Sequence, residues 1–108
     1  MQTVIQVISS SETSLREAIH RDHELPHYRL VVTRVKRRGR NPGWSKMRSK
    51  IPGSHGAINF KWDPAVRILQ CRVVTKQGCT PQAIIGDFVN YLLTQFEGIV
   101  GSINIISR

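Results

Sequence analysis

The sequence predicts an α+β domain: an antiparallel β-sheet of about four to five strands, with a long C-terminal helix (81–97) and a short N-terminal helix packed on one face. Three observations carry this expectation. An apolar stripe of helical period lies near the C-terminus, two alternating segments joined by a proline turn precede it, and the order of elements sets strands between helices.

Taken from the N-terminus, Val4 to Ile8 alternates enough for an edge strand. Ser14-Leu15-Arg16-Glu17 has the spacing of a capping box, in which Ser14 and Glu17 each satisfy the other's backbone donor. Leu15, Ala18 and Ile19 then form a narrow apolar face, which predicts a short helix to about Asp22, and Pro26 ends anything helical before it. Tyr28 to Arg37 reads as a strand through Leu30-Val31-Val32-Thr33-Arg34-Val35. Residues 38–56 hold Gly39, Pro42, Gly43, Pro52, Gly53 and Gly56 and read as one long basic loop.

Ala57 to Trp62 places Ile58, Phe60 and Trp62 on one face, and Val66 to Thr75 does the same with Leu69, Cys71 and Val73. Asp63-Pro64-Ala65 between them predicts a tight turn, because Pro64 presets its dihedral and Asp63 can bond the backbone beyond. The two segments form a hairpin. Ile84, Ile85, Phe88, Val89, Leu92, Leu93 and Phe96 then make the helical stripe, with Thr80 as its cap, Pro81 at the first helical position and Gly98 at its end. Asp87 reads as a surface or first-turn residue, and Gly86 as a point of close approach. Ile103 to Ile106 reads as a short last strand.

A chain of 108 residues has room for one domain with one core. No apolar run reaches the ~18 residues of a membrane span, and Met1 to Ile5 lacks the basic and apolar regions of a secretory signal. Cys71 and Cys79, with no second pair, fit neither a disulfide framework nor a zinc ribbon. The expectation is a cytoplasmic protein with free thiols.

Charge gives the strongest functional signal. Ten of the sixteen Lys and Arg residues lie between Pro26 and Trp62, whereas all seven Asp and Glu residues lie outside that span. The formal charge of +9 is therefore concentrated in one segment, and such a field selects polyanions. Within residues 29–50, the phosphate-contacting candidates are Arg34, Lys36, Arg37, Arg38, Arg40, Lys46, Arg48 and Lys50. Lys46, Arg48 and Lys50 alternate with Met47 and Ser49, so an extended backbone aims all three cations one way. Trp44 among them is either a platform for base stacking or the hydrophobic anchor of the loop.

The expected function is that of a small nucleic-acid-binding protein that holds the phosphate backbone. RNA is slightly favoured over DNA, because a long basic loop can order on contact. The alternative is a non-enzymatic assembly subunit whose basic loop docks on an acidic partner surface. Ile99, Val100, Ile103, Ile105 and Ile106 supply an apolar C-terminal strand for pairing in a homo-oligomer.

The element order is similar to that of double-stranded-RNA-binding domains over about residues 12–97. Pro52-Gly53-Ser54-His55 stands where that family often carries a loop reaching into a minor groove. The family's lysine cluster at the start of the last helix would fall on Thr80-Pro81-Gln82-Ala83, which contains no lysine, so the likeness is one of topology. His20, His23 and His27 lack the second cluster that a tetrahedral metal site needs, and no metal or other cofactor is expected. An enzyme would have to be built on His55, with Ser54 adjoining and Asp63 or Asp87 as orienter. No catalytic set is assigned from that spacing.

Overall fold

A computed structural model describes residues 3–34, 44–53, 55–76 and 79–107. Six strands form one sheet: β1 (Thr3–Ser9), β2 (Leu30–Arg34), β3 (Ser45–Ser49), β4 (Ala57–Asp63), β5 (Ile68–Val74) and β6 (Val100–Ser107). Helix α1 (Leu15–Arg21) and a 3₁₀ turn (Leu25–Tyr28) connect β1 to β2, and helix α2 (Gln82–Gln95) connects β5 to β6. The sheet order is β2-β3-β4-β5-β1-β6, with every neighbouring pair antiparallel. The α+β expectation holds, with six strands in place of four to five. No helix among the described residues is long and apolar enough to cross a membrane.

Three differences from the sequence reading matter. Part of the expected 38–56 loop is strand: Ser45–Ser49 pairs with β2 on one side and β4 on the other. Its Ser45, Met47 and Ser49 are buried in alternation with Lys46 and Arg48, so the cation spacing that suggested an extended loop is the outward register of β3. Second, β1 is no edge strand; it lies between β5 and β6, and Ile5 faces Cys71 on one side and Ile105 on the other. Third, the last strand runs from Val100 to Ser107, longer than expected, and itself forms the edge beside β1.

One face of the sheet carries both helices. Ile5 and Val7 of β1, Leu30 of β2, Met47 of β3, Ile58 and Phe60 of β4, and Leu69, Cys71 and Val73 of β5 share a core with Leu15 and Ile19 of α1 and Ile84, Phe88, Tyr91 and Leu92 of α2. Ser14 caps α1 by accepting from the Glu17 amide at 3.2 Å, but the Glu17 carboxylate turns to Arg16, so only half of the capping box forms. Helix α2 begins at Gln82 with Pro81 as its cap residue, so Thr80 does not cap it; Gly98, at φ +94°, takes the left-handed turn beyond its end. The close approach falls at Gly56, where a Cβ would meet Ile84 Cγ2 at 3.0 Å, whereas the space beside Gly86 is open.

Asp87 is buried in α2 and accepts from both Nε and Nη2 of Arg29, the residue that follows the 3₁₀ turn. Arg29 thus leaves the free basic segment. Its left-handed backbone (φ 63°) turns its carbonyl to accept from the Lys50 amide at 2.7 Å, which locks the turn to the end of β3. Tyr91 on the same helix donates to Asp22 Oδ2 at 2.8 Å, and burial pushes its phenol far above the ordinary range.

His20 on α1 links the helix to the sheet. Its Nε2 lies 2.8 Å from Ser45 Oγ and its ring meets Phe60 edge-on. Desolvation lowers its pKa below the ordinary 6.5, outweighing the raising effect of Glu17. The unfolded chain therefore takes up a proton at a pH where the folded protein still resists it. Stability is full above about pH 6.5 and falls as the pH drops towards the lower, folded-state value. Thermal melts between about pH 7.5 and 5.5 are expected to show this decline, and His20→Gln is expected to flatten it. An unchanged slope in that variant would assign the decline to other groups.

Candidate nucleic-acid interface

The strand register decides which side chains share the face opposite the helices. Arg48 pairs with Ala57 and Lys46 with Asn59; Asn59 pairs with Arg72, and Lys61 with Gln70. Further across, Val4 pairs with Arg72 and with Ile106, and Gln6 pairs with Gln70 and with Asn104. These residues alternate along their strands with the core-facing ones, so all project from the second face. No helix among the described residues covers it.

That face is polar and basic towards the β3–β4–β5 side. It holds Lys46, Arg48, Lys61 and Arg72 with the amides of Asn59 and Gln70, and Asp63 at the end of β4 is its only carboxylate among the described residues. Ser45 pairs with Phe60, so Trp44, one residue earlier, lies level with Lys61. Its indole lies across two cations, with Lys61 Nζ 5.0 Å and Arg72 Cζ 5.6 Å from the ring. This contact is attractive because the ring face carries negative charge density. Trp44 is half-buried and takes no part in the core cluster. The cations hold it on the sheet surface, apart from the core.

An open depression of ≈ 250 Å³ lies beside this indole, bounded by Val4, Trp44, Lys61, Asp63, Gln70 and Arg72. A flat aromatic wall, two cations, an amide and one carboxylate meet around it. Such a set can stack a planar ring, pair with an anionic group and accept or donate hydrogen bonds at the ring edge.

The sequence candidates fall into three groups. Lys46 and Arg48 lie on this face, and Trp44 borders it. Arg34 ends β2 opposite Lys46, past an irregularity in the ladder, and Lys50 is exposed just beyond β3. Lys36, Arg37, Arg38 and Arg40 lie outside the described residues. Arg72 was missed because it lies in β5, far from the acid-free segment; the signal was its outward place in the alternation of Leu69, Cys71 and Val73. Asn59, Lys61 and Gln70 were legible in the same way.

Elsewhere, His55 is exposed in the approach to β4, and His20 is engaged with Ser45. No group of three or more His, Cys, Asp or Glu residues among those described could hold a metal ion. Cys71 and Cys79 are free thiols, and burial pushes the Cys71 thiol far up. The topological likeness to double-stranded-RNA-binding domains does not extend to the sheet: four strands separate the helices, and β1 and β6 complete it.

No family model, curated protein or solved structure matches the chain.

Proposed function

We propose that this protein binds single-stranded nucleic acid, with RNA slightly favoured over DNA, across the uncovered face of its sheet. One observation carries the reading: the Trp44 ring lies against Lys61 and Arg72, 5.0 and 5.6 Å from its centroid, on a face with no helix over it among the described residues, with Lys46 and Arg48 on the neighbouring strand. A single strand offers bases that can stack on an aromatic and phosphates that can follow a row of cations. A regular duplex hides its bases and has no comparable use for the indole. The binding is non-enzymatic and requires no cofactor. A cytoplasmic setting accords with the two free thiols.

Titration of labelled single-stranded RNA and DNA at several salt concentrations tests this. Four phosphate contacts, from Lys46, Arg48, Lys61 and Arg72, give a log–log slope of about −3, since each neutralised phosphate of a single strand contributes about −0.7. Cations outside the described residues would steepen it. If no RNA or DNA binds at ~50 mM salt, the proposal is wrong.

That outcome would favour an assembly role, for which β6 is the supporting observation. Among the described residues it is an edge strand with no further neighbour, eight residues long; it carries no charged side chain and leaves Ile105 50% exposed. Long apolar edges of this kind pair with further strands. A second copy could extend the sheet there while the basic face docks on an acidic protein.

A further inference from the structure

We infer that the depression beside Trp44 is a subsite for a single guanine base, with Asp63 reading its Watson–Crick edge. This rests on the proposal that the face binds single-stranded nucleic acid, and adds which base the site selects.

The argument starts from a carboxylate in an unfavourable place. A surface that attracts phosphates is weakened by any acid, yet Asp63 lines the depression together with Lys61 and Arg72. Its Oδ1 accepts from the Ala65 amide at 3.1 Å, which shapes the β4–β5 turn. Asn or Ser would serve that turn equally well without the negative charge. Oδ2 has no protein donor among the described residues, and Oδ1 retains a second lone pair.

An ionised carboxylate only accepts hydrogen bonds. Among the four RNA bases, guanine alone presents two adjacent donors on its Watson–Crick edge, N1–H and the N2 amino group. Adenine and cytosine pair one donor with an acceptor that a carboxylate repels, and uracil flanks its single donor with two acceptors. Guanine is thus the base that Asp63 can hold with two bonds. Gln70 is the second edge reader. Lys61 pairs across the strands with Gln70, and Asp63 with Ile68, so Gln70 and Asp63 are diagonal neighbours on one face. Its amide N–H can donate to guanine O6, the acceptor beside N1. Trp44 then supplies the stacking wall, and Lys61 and Arg72 meet the flanking phosphates.

The test uses short uridine-rich RNA oligomers that differ only in one central base, read by fluorescence anisotropy. The oligomer with central guanine is expected to bind about tenfold more tightly than those with adenine, cytosine or uracil, as a bidentate contact allows. Asp63→Asn keeps the acceptor for the Ala65 amide but replaces one carboxylate oxygen with a donor. The guanine preference should vanish in this variant, while affinity for the all-uridine oligomer stays the same or rises. Gln70→Ala should reduce the preference without touching the turn. Equal affinity for all four oligomers, or a guanine preference that survives Asp63→Asn, overturns the subsite and leaves the proposed function standing. Failure of every oligomer to bind overturns both.

Discussion

Reversing three charges at once, Arg48→Glu, Lys61→Glu and Arg72→Glu, is expected to weaken single-stranded RNA binding by more than about a hundredfold while the protein stays folded. All three side chains project from the face opposite the core, so the helices and the sheet interior lose no packing. What they lose is electrostatic. Three phosphate contacts disappear, the salt slope falls by about 2 units, and three new anions repel the ligand. Trp44 also loses both cations that hold its ring in place, so the stacking surface is released along with the charge. Arg21→Glu with Lys76→Glu is the control, since both residues are exposed and neither belongs to this set. It lowers the net charge by two-thirds as much but leaves the face intact, and its affinity should change by only a few-fold. Equal losses in the two variants would mean that bulk charge attracts the ligand and that the face has no special part.

The sequence located the charge but not the surface that displays it. Periodicity sufficed for α2 and for the β4–β5 hairpin, because each is continuous in the chain and its burial pattern repeats within a few residues. Alternation in β1 says which side chains are buried, but not which strands lie beside it; its partners come from residues 68–73 and 100–107. The edge reading failed for that reason. β3 was hidden by its flanks, where Pro42, Gly43, Pro52 and Gly53 give the whole segment the composition of a loop. The ion pair of Arg29 with Asp87 joins residues 58 positions apart and took one cation out of the segment that seemed uniformly free. Arg72 entered the face only once the β4–β5 and β1–β5 registers were fixed. Local chemistry was therefore legible, whereas the assembly of one face from three strands was not.

Phe60→Ala and Trp44→Ala are expected to separate the two sides of the sheet. Phe60 is fully buried on β4, with Ser45 and Cys71 as cross-strand neighbours and the His20 ring edge-on at 5.8 Å. Its removal leaves a cavity between α1 and the sheet and should cost about 3–5 kcal/mol. That is a large share of the ~5–15 kcal/mol that holds such a domain together, and the thermal midpoint should fall by about 15 °C or more. Trp44 lies across the opposite face and contacts Lys61 and Arg72 near the surface. An exposed cation–π contact is worth about 0.5–1 kcal/mol, so Trp44→Ala should move the midpoint by only a few degrees. Its affinity for single-stranded RNA should nevertheless drop by about 1–3 kcal/mol, the value of one stacked base. Thermal melts and anisotropy on the same two variants therefore give opposite rankings: the first ranks Phe60→Ala as the more damaging, and the second, on protein kept folded at low temperature, ranks Trp44→Ala so. If Trp44→Ala lowers the midpoint as far as Phe60→Ala does, the indole is a structural element of the sheet, and the platform for nucleic acid must be sought elsewhere.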